Sequence, residues 1–383
     1  MNDEIIYDIW LSLALKPGNR KIKMVKSIYK KVSEFYFSNE YEKRILGFFT
    51  NSDLLTLEKT SLENAKRIFE KSIKLGYKII SLYDDKYPKL LEQISNPPGI
   101  LYVNGDESCL NSKFSIAIVG TRKATQLGAN MAYDISSGLC KSNAVIVSGG
   151  AIGIDFFAHK GALDSNGKTI AVLGCGINYP YLMQNYSLRN KIALSGAVIS
   201  EYPPDTPCGP HTFPIRNRII SGLTLGTVII EAGEKSGSLI TANLANEQNR
   251  DVFVLPIDEN NPRSVGSNLL IRDGASIITS ADDIISQYKY KINFEKNNRI
   301  NEYINKKSKN NDSNEIREYS KCIETDLNEN LKLVYHSLKN GKKHIDDISS
   351  EVNIKMKDLL PILTELELMG MVKALSGRMY EII

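Results

Sequence analysis

The spacing of apolar positions changes twice along this chain. Up to about Leu75 it is helical. Trp10, Leu11, Leu13, Ala14 and Leu15 form an apolar patch, which Pro17-Gly18-Asn19 interrupts. Met24, Val25, Ile28 and Tyr29 predict a second helix. A third is expected from Ser61 to Leu75, with Leu62, Ala65, Ile68, Phe69, Ile73 and Leu75 apolar and Gly76 as its stop. From Lys78 the texture becomes short β-rich runs between helical stretches: Ser115 to Val119, Ala144 to Val147, Thr169 to Leu173, Ala197 to Ser200, Thr227 to Ile230 and Asp251 to Leu255. Each run is nearly continuous in Val, Ile, Ala and Leu, as suits strands buried on both faces of a parallel sheet. The segments between them are long enough for crossover helices.

The second change comes near Tyr288. From there to about Thr325 the chain is rich in Asn, Lys, Glu and Ser and has no apolar period, which predicts a linker. Helices are expected at Leu331 to Leu338, Ile345 to Glu351 and Lys355 to Met369. The last has Met356, Leu359, Leu360, Leu363, Leu366 and Leu368 on its apolar side and Gly370 as its end. Val372 to Leu375 and Met379 to Ile382 then predict a hairpin around Ser376-Gly377-Arg378. Three helices and a hairpin make a winged-helix pattern. The expected organisation is a helical module over 1–77, a Rossmann-like α/β domain with a doubly wound, mostly parallel sheet over 78–287, a linker over 288–325 and a winged-helix module over 326–383.

Composition narrows the class. With 42% hydrophobic and 24% charged residues, the 383-residue chain reads as a soluble globular protein. The start lacks the pattern of a signal peptide and no apolar run is long enough to span a bilayer, so a cytoplasmic protein is expected. Cys109, Cys140, Cys175, Cys208 and Cys322 are scattered and never form CxxC, which reads as reduced thiols. His159, His211, His336 and His344 are equally dispersed, so no metal centre is expected. A net charge of +4 permits a nucleic-acid partner without arguing for one.

In an open parallel sheet, ligands sit beyond the carboxyl ends of the strands. The loops there are Gly120-Thr121-Arg122-Lys123, Ser148-Gly149-Gly150-Ala151-Ile152-Gly153, Gly174-Cys175-Gly176 and, after Glu231, Ala232-Gly233-Glu234-Lys235-Ser236-Gly237-Ser238. Glycine lets backbone approach a ligand, helix N-termini offer free N–H donors, and Arg122 adds a charge-assisted contact. That chemistry suits phosphate. One glycine loop alone is as often a tight turn. Four on one rim, with hydroxyls and an arginine, favour an anion site. None matches GxGxxG or the Walker A loop, so no nucleotide cofactor is expected.

His211 to Arg218 adds an aromatic and two arginines. Phe213 could stack on a base while Arg216 and Arg218 hold the backbone. Alternatively Phe213 is core and the arginines pair with Glu201 or Glu231; spacing leaves both open. No convincing catalytic set is present. Asp155 and His159 lie four apart, a spacing that serves acid–base chemistry but more often a helix-start hydrogen bond. Cys175 in its glycine loop is a candidate reactive thiol, though a lone cysteine usually packs.

Taken in order, the segments SIAIVGTRKAT from Ser115, SGGAIGIDFFAHKGAL from Ser148, TIAVLGCGINYPY from Thr169, GAVISEYPP from Gly196, FPIRNRIISGL from Phe213, EAGEKSGSLITANLA from Glu231 and GSNLLIRDGA from Gly266 resemble the DprA (Smf) family. The likeness covers the whole α/β domain and extends more loosely to the stretch from Asp84. It implies a Rossmann-like domain that binds single-stranded DNA along its backbone without catalytic turnover, protects DNA taken up in transformation and helps RecA load onto it. It also implies an N-terminal SAM-like module and self-association, here as a homodimer, near Leu269, Leu270 and Ile271. Arg122 matches the family's main anion-binding arginine, and Phe213, Arg216, Asn217 and Arg218 match its arginine-rich segment. Gly120, Thr121, Ser148, Gly149, Gly150, Gly174, Gly176, Ser236, Gly237 and Ser238 complete the expected nucleic-acid site. Ile152 stands where many relatives carry Lys or Arg, and Lys160 downstream is the candidate replacement.

The first module lacks a full helix-hairpin-helix glycine pattern. The third winged helix carries Asp358, Glu365 and Glu367 beside Lys355 and Lys357, a face that would repel phosphate. Two other functions compete. A lysine-decarboxylase-like nucleotide hydrolase would show a PGGxGTxxE pattern, absent where Glu231 to Ser238 stand. A winged-helix regulator would need a third helix able to enter the major groove.

Overall fold

The computed structural model describes residues 4–181, 186–256, 264–289, 329–368, 371–375 and 377–382. The expected linker beyond its first two residues, Met369, Gly370, Ser376 and Cys322 lie outside them. The chain divides into two units, Met1–Ile285 and Ser286–Ile383.

Each of the six apolar runs forms a strand of one sheet in the first unit: β3 (Ser115–Gly120), β4 (Val145–Ser148), β5 (Thr169–Leu173), β6 (Ala197–Ser200), β7 (Gly226–Ile230) and β8 (Asp251–Val254). Their residues are almost all buried, as strands covered on both faces must be. Three further strands escaped the sequence reading: β1 (Lys78–Ser81), β2 (Ile100–Gly105) and the two-residue β9 (Ser276–Ile277). The order is β1-β2-β6-β5-β4-β3-β7-β8-β9. Pairing is parallel from β6 to β9, whereas β2 joins β6 and β1 joins β2 antiparallel. From β3 the chain steps outward through β4, β5 and β6, then returns to lay β7 on the other side of β3. Loops after β3 and β7 therefore diverge at a topological switch point, where open α/β sheets form a crevice.

Helices α1 (Glu4–Leu15), α2 (Lys21–Ile28), α3 (Val32–Phe37), α4 (Glu40–Ile45), α5 (Asn51–Lys59) and α6 (Leu62–Lys74) precede the sheet. Within it come α7 (Lys89–Glu92), α8 (Gln126–Lys141), α9 (Ile154–Asp164), α10 (Tyr186–Ser195), α11 (Thr212–Gly222), α12 (Gly237–Glu247) and α13 (Val265–Arg272). α8 packs on α9, and α11 on α12. Ile9, Trp10, Val25 and Phe35 of the early helices share one apolar core with Ile100, Val103 and Ile199 of the sheet. The Pro17-Gly18-Asn19 break is a turn docked on the sheet. Gly18 takes φ +83°, its N–H donates to the Glu201 carboxylate at 3.2 Å, and its carbonyl accepts from Asn96 at 3.2 Å. Ile73 and Leu75, read as apolar-face residues of the third helix, are exposed; Ser72 is buried there instead, its hydroxyl donating to the Ile68 carbonyl.

In the second unit, helices Glu329–Ser337, Ile345–Val352 and Met356–Leu368 accompany a sheet in which Met379–Ile382 pairs with both Val372–Leu375 and Lys343–His344. Its core joins Leu331, Val334, Ile345, Ile348, Leu359, Leu363, Leu366 and Val372. Leu360, expected on the apolar side of the third helix, is exposed, because Leu359, Leu363 and Leu366 already fill the buried stripe at helical spacing.

Candidate nucleic-acid interface

The switch point holds a cleft of about 290 Å³. One wall is Val119, Gly120, Thr121 and Arg122 at the end of β3; the facing wall is Ser236, Gly237, Ser238, Ile240 and Thr241 at the start of α12. Phe213, Pro214, Arg216 and Asn217 of α11 close one side, and Ala151 and Asp155 lie deeper. The structure thus brings together expected residues from three separate segments. It adds Ile220, Ile240 and Thr241, which the sequence reading had not singled out, and brings in Asp155, read there with His159, together with Ala151 and Pro214 from the candidate segments.

Arg122 is exposed, and its guanidinium stands 5.2 Å from the centre of the Phe213 ring. That is a cation–π distance. Among the described residues no carboxylate pairs with it, so its donors face solvent. Its loop is held from β7 and α9. The Thr121 N–H donates to the Glu231 carbonyl at 3.1 Å, and the Thr121 carbonyl accepts from Ile154 N–H at 3.2 Å. At Gly153, φ is +80° and a Cβ would stand 2.7 Å from the Arg122 carbonyl carbon, so only glycine lets α9 begin against this loop.

The helices that follow β3, β4 and β7 at this edge start in different ways. At α8, the buried Glu231 carboxylate accepts from the Thr125 N–H at 2.8 Å and from the Thr125 hydroxyl. Before α9, the buried Asp155 carboxylate accepts from Gly149 N–H at 3.1 Å and Ala151 N–H at 3.3 Å. Burial pushes the Asp155 carboxyl above its ordinary range, with the Arg216 charge pulling it back. At the starts of α8 and α9 the chain's own carboxylates thus take N–H donors of the loops that lead into the helices. The third start, α12, opens into the cleft. A Cβ on Gly237 would meet nothing within 4 Å, and Ser236 caps the helix through Ser238 N–H at 3.4 Å.

Several expected contacts are placed elsewhere. Arg218 is buried in an ion pair whose NH2 group donates to both Glu201 oxygens, at 2.7 and 2.5 Å. It braces the Gly18 turn and is absent from the cleft lining. Arg216 is also buried. It donates to the carbonyls of Gly149, at 2.7 Å, and Val172, so it reaches the cleft floor as a fixed charge, not as a free fork. The Asn217 side chain bridges α11 and α12 by donating to the Gly237 carbonyl at 3.3 Å. Lys160 pairs with Asp164 at 3.0 Å and lies over the Tyr133 ring, outside the cleft. Ser148 is core, its hydroxyl donating to the Ile118 carbonyl at 2.6 Å. Gly149 and Gly150 are buried. Gly174 lies beneath Phe213, and Gly176 beneath the carbonyls of Pro203 and Pro204. Those loops meet protein where a ligand was expected.

His159 is sealed in the core. The Thr169 hydroxyl donates to the Ile146 carbonyl at 2.8 Å, so it accepts from His159 Nδ1–H, also at 2.8 Å. Burial lowers the imidazole pKa to about 3, which leaves it neutral. Cys175 is fully buried and its thiol is raised to about 11 by burial, which disfavours thiolate chemistry. Among the described residues no cluster of His, Cys, Asp or Glu could hold a metal ion, and no helix is long and apolar enough to cross a membrane. Of the three residues expected in self-association, Leu270 is buried and Leu269 and Ile271 are half-buried on α13; Val265 and Ile277 nearby in sequence are exposed.

A family model described as DNA recombination-mediator protein A matches residues 78–289. The DNA processing protein DprA of Bacillus subtilis (strain 168) is 39% identical over 212 residues, covering 55% of this chain and 71% of that protein. The X-ray structure of DNA processing protein A from Streptococcus pneumoniae superposes with a TM-score of 0.64 at 32% identity, covering 75% of this chain and 98% of that one. The DNA processing protein A of Helicobacter pylori, solved for its single-stranded DNA binding mode, superposes with a TM-score of 0.51 at 33% identity, covering 55% and 94%.

Proposed function

This chain belongs to the DNA recombination-mediator protein A family, and from that premise we propose that it binds single-stranded DNA by its backbone at the switch-point cleft and works without chemical turnover. One observation carries the reading: an exposed arginine, Arg122, free of carboxylate partners among the described residues and stacked on Phe213, faces the open start of α12 across a cleft. A guanidinium and helix-start N–H groups recognise phosphate, while an aromatic face tolerates any base. The working site is Gly120, Thr121, Arg122, Phe213, Asn217, Ser236, Gly237 and Ser238, with Arg216 adding positive potential from below. The Helicobacter relative's single-stranded DNA binding supports the choice of ligand.

The wider role follows the family reading. The protein is a cytoplasmic mediator that covers incoming strands, hands them to RecA and works as a homodimer through the α13 region. The second unit is a winged-helix module joined by the 288–325 linker and contacts protein, not DNA. The hydrolase reading gains no observation, because the buried Glu231 carboxylate is committed to Thr125.

The deciding experiment is a titration of one labelled oligonucleotide, single-stranded and as a blunt duplex, over a range of salt concentrations. The single strand should bind tighter at every salt, with affinity falling steeply and log-linearly as salt rises. Equal or tighter binding to duplex at matched salt would sink the reading. RecA loading is tested separately, by the rate of filament growth with and without the protein.

A further inference from the structure

The residue that follows β7, Glu231, is not used by the ligand reading above, yet it is built into the structure at a cost. It takes φ +55°, a left-handed conformation that non-glycine residues avoid, and it is almost completely buried. Strain of this kind persists only where the surroundings fix it, and here they do. The backbone carbonyl of Glu231 accepts from Thr121 N–H at 3.1 Å; its carboxylate accepts from Thr125 N–H at 2.8 Å and from the Thr125 hydroxyl. One residue of β7's end therefore holds both ends of the five-residue loop Thr121–Thr125. That loop carries Arg122 and Lys123, both exposed. Gly128 makes room: a Cβ there would stand 2.5 Å from the carboxylate carbon. The carboxylate also lies at the start of the 16-residue α8, where the helix dipole favours a negative charge.

We propose that Glu231 is a positioning residue for the nucleic-acid site: it clamps the Thr121–Thr125 loop across the switch point and so aims Arg122 into the cleft. The inference rests on the ligand reading given above. An unclamped loop of five residues leaves the Arg122 guanidinium free to sample many positions, and a charge-assisted contact loses affinity when its donor must be ordered on binding. Simple electrostatics predicts the reverse, since removing a negative charge near an anion site should tighten DNA binding. The two views therefore differ in sign.

The test uses the full chain with Arg122→Ala, Glu231→Gln, Thr125→Ala and the double variant Arg122→Ala/Glu231→Gln. Each is titrated with one single-stranded oligonucleotide and melted in the same buffer. If Glu231 acts through Arg122, Glu231→Gln weakens binding several-fold to about tenfold, and the double variant binds no worse than Arg122→Ala alone. Thr125→Ala removes the hydroxyl half of the clamp and leaves the backbone N–H bond; it should weaken binding in the same direction by a smaller factor, which covers the case of a Glu231 variant that does not fold. Parental or tighter binding by folded Glu231→Gln or Thr125→Ala, while Arg122→Ala is weak, overturns this proposal alone. Full additivity in the double variant does the same. Parental binding by Arg122→Ala overturns the ligand reading as well, so the two failures are distinguishable.

Discussion

The loops after β3 and after β5 are both short and set at the carboxyl edge of one parallel sheet, yet they end in opposite states. After β3, Arg122 stands exposed over Phe213 and faces a cleft. After β5, Gly174 lies beneath Phe213 itself and Gly176 beneath the carbonyls of Pro203 and Pro204. Glycine serves close approach in both places, and in both the approaching group is the protein: a Cβ on Gly120 would collide with the Ile230 carbonyl. The loop after β4 sides with β5, its N–H donors taken by Asp155. A glycine in such a loop thus reports that something comes near and leaves its identity open. What separates the open loop from the packed ones is a long cation with no carboxylate partner among the described residues.

The contrast is broken most severely on the packed side. Arg218→Ala should cost about 3–5 kcal/mol of stability, because it strands the buried Glu201 carboxylate. Single-strand affinity per folded molecule should stay unchanged; chemical denaturation and a DNA titration on one preparation check both halves. Gly176→Ala comes next. Its methyl group would collide with two backbone carbonyls, and a loss of roughly 3 kcal/mol is expected, seen as a lowered melting temperature. A variant that melts like the parent would mean this loop is not packed as described.

Arg122→Ala sharpens the other side. It should leave melting intact and weaken single-strand binding by roughly 1.5–3 kcal/mol, one to two decades, with a shallower salt slope. A drop in stability with unchanged affinity would move Arg122 to the packed class.

The interior below the packed loops makes a pH prediction. His159 has its pKa lowered to about 3 by burial, so the unfolded chain binds the proton more readily than the folded one. Stability is complete above the unfolded pKa near 6.5 and is lost as pH falls from there toward 3, by about 2 kcal/mol at pH 5. His159→Gln should lack that component when denaturation is compared at pH 7 and pH 5. The smallest effect belongs to the open side. Gly237→Ala meets no atom within 4 Å and should change stability by less than about 0.5 kcal/mol; a large loss would mean that the α12 start is not free.

Much of the fold was legible. The runs that became β3 to β8 are continuous in Val, Ile, Ala and Leu, and burial on both faces is what such runs require. β1 and β2 were missed although they are as long as strands that were read; they lie on the antiparallel side of the sheet, where polar Lys78, Ser81 and Asn104 flank their apolar residues. The short α4 and α5 were missed although their signals were present. Asn39 with Glu42 and Thr50 with Asp53 are capping pairs three residues apart, and both form capping boxes. Ile73, Leu75 and Leu360 were placed on buried faces because apolar character marks a helix stripe without fixing its width.

The sequence by itself determined the parallel sheet, its glycine-rich carboxyl edge and the presence of arginines near that edge. These follow from local spacing and side-chain type, which period and strand geometry translate directly. It also narrowed the partners of the arginines after Phe213 to DNA or a carboxylate, and Glu201 was one of the two carboxylates considered. Only the tertiary structure decided between these outcomes. Arg218 and Glu201 are 17 residues apart and Thr125 and Glu231 106, so whether a charge is spent inside or offered outside depends on which distant strand ends meet. Local spacing carries no record of that meeting. A buried charge needs a partner, an exposed one does not, and the fold alone assigns each arginine to one condition or the other.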